Sequence, residues 1–213
     1  NEPVKEYLPG SEEKKSLLKE YKNQSNKKIE IPIIIGGERI LTGDIGHCIA
    51  PHNHKKVLAS YHKADKETVD KAIKNSLDAW KDWSNTKIEE RTTIFRKAAT
   101  LLAGKWRNKI NAATMLNQSK NAHQAEIDAA CELIDFFNLN SSFAENINSK
   151  QDLISPNDTK NYLEYRPLEG FVFAIAPFNF TSIAGNLPSA PALMGNVSLW
   201  KPASSAILAC YYL

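Results

Sequence analysis

Cysteine is scarce: 213 residues contain three, Cys48, Cys131 and Cys210. Three thiols are too few and too scattered for a disulfide scaffold, and they suit a reducing compartment. Long apolar runs are also missing. Stretches such as Phe171–Ala176 fall far short of the ~20 residues that cross a bilayer as a helix. Glycine (9) and proline (10) are too sparse for a collagen-like or low-complexity chain. No G-x-G-x-x-G, P-loop, G-x-S-x-G or C-x-x-C occurs, so no phosphate cradle is visible by its usual fingerprint. No apolar signal segment stands at Asn1; a targeting peptide is expected to have been removed or never included.

What is present is an ordinary globular mixture, 42% hydrophobic and 24% charged. At roughly 150 residues per domain, the length fits one large domain or one and a half. The net charge of +3 hides an asymmetry: residues 1–110 hold 22 Lys/Arg against 15 Asp/Glu, and residues 111–213 hold 5 against 9. The basic half lacks an arginine cluster or an aromatic-basic stripe. Its lysines alternate with acids as on a solvated helix face, which argues against a nucleic-acid partner. From Gly170 to Leu213 the only charged side chain is Lys201. So long an uncharged stretch needs cover. It has the composition of inner strands of a parallel sheet with helices on both faces. Lys201 is then either a strand-end lysine reaching solvent or a ligand-binding cation at the carboxyl edge of that sheet.

Along the chain, Ser11 is placed to cap a polar helix over about 12–22. Ile31–Ile35, Gly36-Gly37 and Glu38–Leu41 read as a hairpin with a primed turn. Val57–His62 reads as a further strand. Four helices are predicted next. Asp65 caps the first, with Val69, Ile73, Leu77 and Trp80 on one face. A capping box at Thr86–Glu89 opens the second, whose stripe is Ile94, Phe95, Ala98, Leu101 and Leu102 and which Gly104 ends. Trp106, Ile110, Ala113 and Asn117 mark the third. The fourth runs from about Gln124 to Ala144, with Ile127, Cys131, Ile134 and Phe137 inward. Residues 148–160 form a loop and 161–167 alternate like a strand. The tail reads β-loop-α-β-α: a buried strand at Phe171–Ala176, a small-residue helix before Gly195, a second buried strand at Val197–Lys201, and a helix from Ala203. That order opens a doubly wound nucleotide-binding sheet.

The chemistry offered by these residues is sparse. Asn179 follows the first buried tail strand, where an open α/β sheet presents its active groups. Its amide either donates to a developing oxyanion or caps the next helix. His47, Cys48, His52, His54 and His62 crowd one region, and His52 with His54 on one strand is a conceivable zinc pair. The spacing matches no standard four-ligand site, and no metal is expected. Cys131 and Cys210 lie on apolar stripes and read as inert core thiols rather than nucleophiles. Six Asn-x-Ser/Thr sequons, one of them at Asn179, read as chance among 19 asparagines.

The run Gly170-Phe171-Val172-Phe173-Ala174-Ile175-Ala176-Pro177-Phe178-Asn179-Phe180-Thr181 resembles the strand and oxyanion loop of the aldehyde dehydrogenase superfamily. Gly195-Asn196-Val197-Ser198-Leu199-Trp200-Lys201-Pro202 resembles its adenosine-side strand. Pro-Phe-Asn-Phe-Thr, Ala-Pro-Ala-Leu-Met-Gly-Asn, the opening Asn1-Glu2-Pro3-Val4 and the helix Gln124–Ala130 are similar to the branch that oxidises L-glutamate γ-semialdehyde. The likeness covers essentially the whole chain. It implies an NAD-dependent oxidoreductase of proline degradation, converting L-glutamate γ-semialdehyde (delta-1-pyrroline-5-carboxylate) to glutamate in the mitochondrial matrix.

Carried over residue by residue, the resemblance makes Asn179 the oxyanion stabiliser. Ala176, Pro177, Phe178, Lys201 and Ser204 line the cofactor, and Phe180 and Glu132 lie near the aldehyde. Lys201 matches the lysine that bonds the adenosine ribose. Ser204 stands where many relatives carry an acidic ribose ligand, which leaves NAD against NADP open. None of the three cysteines matches the family's nucleophile, and no residue matches its general-base glutamate. The implied fold is α/β, the start of a doubly wound, Rossmann-like sheet preceded by a hairpin and a helical segment, and incomplete relative to the family. The expected parts are 1–147 (hairpin and helices), 148–168 (linker and an oligomerisation strand) and 169–213 (a first βαβ part). The chain alone is expected to be inactive, and to form a homo-oligomer or pair with a longer subunit. Two other readings stay open: a noncatalytic assembly module, and an unrelated α/β nucleotide-binding protein.

Overall fold

In the computed structural model, which describes residues 1–213, Ser11 caps α1 (Glu12–Ser25) as expected, its Oγ accepting from the Lys14 N–H at 3.3 Å. Five extended segments follow: β1 (Ile29–Ile31), β2 (Ile33–Ile35), β3 (Glu38–Ile40), β4 (Ile45–Ala50) and β5 (Asn53–His62). β2 and β3 form the expected hairpin, with Gly36 and Gly37 at φ +56° and +82°. A primed two-residue turn requires both positive angles, which glycine reaches without strain. The single strand expected at Val57–His62 is the end of a longer β5. It lies between parallel β1 and antiparallel β4 in a three-stranded sheet. β4 escaped the sequence reading because its buried positions are only Cys48 and Ala50, a weak period-two signal.

Helix α2 (Lys66–Trp83) is capped by Asp65, whose Oδ1 accepts from the Thr68 N–H at 2.8 Å. Its apolar stripe is not the inward face expected, since Val69 and Leu77 are exposed and only Thr68 is buried. The helix rides on the outside of the molecule. Helix α3 (Ile88–Ala103) corrects two expectations. Its N-cap is Lys87, without a side-chain bond, and the Thr86 hydroxyl donates backward to the Asp82 carbonyl. No capping box forms. Its buried face carries Ile88, Arg91, Thr92, Ala99 and Leu102, while Ile94 and Leu101 are exposed. Polar partners select that face: the Arg91 Nε–H donates to the Leu193 carbonyl at 2.9 Å, and the Thr92 hydroxyl to Glu145 at 2.7 Å.

Helix α4 (Arg107–Gln118) buries Ile110, Ala113 and Asn117 as expected. The long fourth helix is a rod of three parts: α5 (Ala122–Ala125), a π-helical stretch over Glu126–Glu132, and α6 (Leu133–Ser149). Wider i→i+5 turns shift the side chains that follow. Ile127, expected inward, is therefore exposed, while Glu126 and Asp128 are buried. Residues 161–167, expected to be strand-like, are mostly exposed and form no ladder within this chain.

The tail follows the expected order: β6 (Val172–Ile175), α7 (Thr181–Leu193), β7 (Ser198–Lys201), a 3-10 turn (Ser204–Ala206) and α8 (Ile207–Tyr212). β6 and β7 pair in parallel, Val172 opposite Ser198 and Ile175 opposite Lys201. The expected cover on both faces is absent. Ala174 is buried, but Phe173 and Ile175 are 53% and 59% exposed. One pleat face packs against a cluster of Ala176, Ala184, Cys210 and Trp200 on α7, α8 and the strand ends, and the other faces outward. Gly185 allows α7 to approach closely, because a Cβ there would stand 2.9 Å from the Leu133 side chain. The main core spans the chain, joining Ile31 and Leu58 to Ile110, Leu133 and Leu208. No helix is long and apolar enough to cross a membrane.

At the centre lies a buried ion pair. Arg107 is bonded to Glu126, which has no exposed surface. Glu126 also accepts from the Tyr7 hydroxyl at 2.6 Å, the Asn111 amide at 2.7 Å and the Lys5 N–H at 2.9 Å. Burial pushes the Glu126 carboxyl up, but the Arg107 guanidinium and these donors outweigh it and hold it below the usual carboxylate range. Removing one partner strands a buried charge. Glu126→Ala is expected to destabilise the fold by about 3–5 kcal/mol, read as a loss of denaturant midpoint.

On the surface, the Arg96 guanidinium and the Thr92 hydroxyl hold Glu145 down at about 2. Below the unfolded carboxyl pKa of about 4.3, the unfolded chain binds more protons than the folded one. The stability from Glu145 and Glu126 is thus complete above that pH and is lost as pH falls through their lower folded values. The expected outcome is a thermal midpoint that drops between about pH 5 and pH 2, with a shallower drop in Glu145→Gln. The Glu145 share is small, because solvent screens an exposed pair.

Candidate functional site

Parallel strands β6 and β7 present their carboxyl ends at one edge, where the Ala176 N–H donates to the Lys201 carbonyl at 3.1 Å. The loop Ala176-Pro177-Phe178-Asn179-Phe180 leaves β6 there and enters α7. Lys201 ends β7 on the same side, and Ser204 begins the turn beyond it. Asn179, Phe178, Lys201 and Ser204 are exposed, whereas Ala176 is buried and Pro177 partly so. Lys201 forms no ion pair and no side-chain hydrogen bond. Both readings of Lys201 hold geometrically: it is a strand-end lysine in solvent, and it is an unengaged cation at the edge where an open α/β sheet takes ligands.

Asn179 is not the helix cap. Phe180 occupies the N-cap of α7 without a side-chain bond. The cap is a carboxylate from another helix. Asp128 accepts the Thr181 and Ser182 N–H groups, both at 3.0 Å. An anion satisfies these orphan amides and suits the helix dipole. The Asn179 side-chain amide is therefore released from structural duty and has no hydrogen-bond partner in the chain. Helix α4 grips the same point: the Thr181 hydroxyl lies 2.8 Å from that of Thr114 and accepts from the Gln118 amide at 2.7 Å.

The π-helical stretch also brings Glu132 to this place. The Ser182 hydroxyl lies 2.7 Å from Asp128 Oδ1 and 2.8 Å from Glu132 Oε2, so one proton serves two carboxylates. Lys120 completes the cluster. Its ammonium donates to Asp128 at 2.6 Å and to the Asn179 carbonyl at 2.7 Å, and stands 4.4 Å from the centre of the Phe180 ring. The structure thus joins Asn179, Phe180 and Glu132 in one network, with Lys201 at the end of the neighbouring strand and Ser204 in the turn beyond it. Lys120, Asp128 and Ser182 escaped the sequence reading. The one signal pointing to them was acidic residues set among alanines and an isoleucine in Glu126–Ala130.

No group of three or more His, Cys, Asp or Glu side chains gathers as a metal site. The zinc pairing of His52 with His54 fails because His52 precedes β5 and lies 2.9 Å from Ser119 Oγ. His62 instead pairs with Glu30 at 3.0 Å. All three cysteines are free and buried. Burial pushes the thiols up, Cys131 to about 11 and Cys210 to about 12, with Cys48 also raised. Each holds its proton at neutral pH and has no thiolate character.

Residues 42–213 match the aldehyde dehydrogenase family. The chain belongs to that family. It is 46% identical over 212 residues to a probable delta-1-pyrroline-5-carboxylate dehydrogenase of Schizosaccharomyces pombe, covering 99% of this chain and 39% of the relative. It is 47% identical over 211 residues to the mitochondrial delta-1-pyrroline-5-carboxylate dehydrogenase of Homo sapiens, covering 99% and 37%. The crystal structure of the Mycobacterium tuberculosis delta-pyrroline-5-carboxylate dehydrogenase bound with NAD superposes with a TM-score of 0.96 at 47% identity, over 99% of this chain and 39% of that one. The chain thus spans about two-fifths of the length of the relatives it matches.

The buried thiols yield a direct expectation. Iodoacetamide at pH 8 leaves the native chain unlabelled, and unfolding in guanidinium exposes all three thiols, counted by intact mass. One fast-reacting native cysteine would contradict the burial described above.

Proposed function

We propose that this chain supplies the oxyanion donor and the dinucleotide-side edge of an NAD-dependent oxidoreductase that converts L-glutamate γ-semialdehyde to glutamate in proline degradation. The observation that carries the reading is the free Asn179 amide on a carboxyl-edge loop beside the unengaged Lys201, in a chain nearly half identical to enzymes named for that reaction. In this reading residues 169–213 open a doubly wound, Rossmann-like sheet. Residues 1–147 are its hairpin and helical support, and 148–168 are a linker whose exposed 161–167 segment pairs with another subunit. The mitochondrial names of several relatives support a mitochondrial location, and within it the reading places the protein in the matrix.

The residues fit the dinucleotide. Lys201 has no internal partner, and the rim formed by Ala176, Pro177 and Phe178 is uncharged and leaves the Phe178 ring exposed. Lys201 would hold the adenosine ribose and Ser204 would stand beside it. Ser204 is neutral, so it neither demands a free 2′-hydroxyl nor repels a 2′-phosphate, and preference for NAD over NADP is weakly enforced. NAD, when bound, supplies the hydride acceptor. The Asn179 amide donates to the oxygen that gains charge as a thiolate adds to the aldehyde carbon. An amide does this without titrating, at any pH the fold survives. Phe180 and Glu132 lie on the aldehyde side of the same loop. The nucleophile is none of Cys48, Cys131 and Cys210, which are buried and protonated. These residues alone therefore turn over no aldehyde.

The test is an NAD titration together with aldehyde-dependent NADH formation. The 213-residue chain is expected to show no turnover. A polypeptide that joins this chain to the further length found in its relatives is expected to oxidise glutamate semialdehyde and to lose roughly 10²–10³-fold in kcat in Asn179→Ala. Lys201→Ala weakens NAD binding in either form. Unchanged NAD affinity in that variant would remove Lys201 from the site, and robust turnover by the short chain would refute the assignment of the nucleophile elsewhere.

A further inference from the structure

Lys120 follows Ser119, the left-handed residue that ends α4. Its side chain is 17% exposed and that of Asp128 is 5% exposed. The ammonium is committed three ways, to Asp128 Oδ2, to the Asn179 carbonyl and over the Phe180 ring. Asp128 in turn holds the amides of residues 181 and 182. The main chain is thus tied at the Asn179–Phe180 peptide and at the two residues that follow it, while the Asn179 side-chain amide stays free. Capping α7 needs only Asp128. The bond from Lys120 to the Asn179 carbonyl does nothing for the helix, and its effect falls on the peptide that carries the free amide. Asp128 also neutralises the ammonium, so the cation fixes the loop without becoming a competing charge for the substrate carboxylate.

From this geometry we infer that Lys120, seated by Asp128, is a positioning residue that sets Asn179 for oxyanion stabilisation. The inference deepens the function proposed above and rests on it. A preorganised donor stabilises developing charge without reorganising at the moment of reaction, and a misplacement near 1 Å costs up to about 10²-fold. Lys120→Met keeps the length and apolar stem but removes donor and charge.

The experiment compares the full-length protein with Lys120→Met and Lys120→Arg by steady-state kinetics, thermal unfolding and amide hydrogen exchange. In Lys120→Met, kcat is expected to fall roughly 10- to 100-fold, with KM for the aldehyde changing far less. Exchange should rise across 179–182 far more than elsewhere, beyond the general increase that follows from the lower thermal midpoint expected when Asp128 loses its cation. Lys120→Arg, which keeps a cation with several donors, recovers most of the loss. Loop exchange unchanged in Lys120→Met overturns the clamp, whether or not the protein is active. Faster exchange with unchanged kcat overturns the positioning role alone. No aldehyde oxidation by the unaltered protein overturns the proposed function and the positioning role with it.

Discussion

The Arg107–Glu126 pair sets the geometry from which the site is built. Arg107 opens α4, and Glu126 opens the π-helical stretch. These are the two elements that grip the start of α7, through Thr114 and Gln118 on one side and Asp128 on the other. A buried pair contributes little net stability compared with apolar residues of equal volume. Its geometry is nevertheless demanding, because a shift leaves a charge without its partner. The pair therefore works as a register device. It fixes where α4 meets the rod, and so where Asp128 stands. The amino-terminal segment is tied to the same centre by Glu2, the Pro3 carbonyl, the Lys5 N–H and Tyr7. Residues distant in sequence thus share one electrostatic anchor.

The charge-poor tail follows a different constraint. Alternation along β6 sends Ala174 inward and Phe173 and Ile175 outward, and β6 and β7 form a sheet of two strands alone. Small residues on the covered side let α7 come close, and Gly185 removes the last steric obstacle. Large apolar residues on the other side are those of a surface made to be covered. The composition that suggested burial on both faces was correct about chemistry. Its error concerned cover: an uncharged strand announces a face suited to burial, and in these 213 residues only one face of β6 is packed.

Much of this was legible from residues alone, and the failures have physical causes. Caps written in one residue were read correctly at Ser11 and Asp65. The Gly36-Gly37 turn and the β-α-β order of the tail were also visible, since glycine pairs and abrupt loss of charge are strong local signals. The face of α2 was misread and that of α3 only partly read, with Leu102 and Phe95 inward but Ile94 and Leu101 exposed, because an apolar stripe predicts burial only when a partner exists and when the true inward face is also apolar. On α3 it carries Arg91 and Thr92, whose partners lie 102 and 53 residues away. The π-helical turns left no period to detect. Asn179 was found by position and resemblance. Lys120 and Asp128 were not, since a lysine in a turn and an aspartate in a helix look like solvated charges until coordinates bring them together.

The division of labour around Asn179 follows from what each donor type can do. An ammonium next to the reacting carbonyl would stabilise the oxyanion, but it would also hold the product carboxylate and oppose its release. A neutral amide is weaker, but its advantage grows as charge develops on the oxygen, provided it does not have to move. Immobility has to come from elsewhere. In this chain it comes from cations and anions that cancel one another: Lys120 against Asp128 at the loop, and Arg107 against Glu126 beneath it. In the proposed function, the charged residues hold the backbone and the uncharged Asn179 amide faces the chemistry. On that proposal the near absence of charge between Gly170 and Leu213 serves the site as well as the core. A further fixed charge beside the loop would compete with the amide that the rest of the structure immobilises.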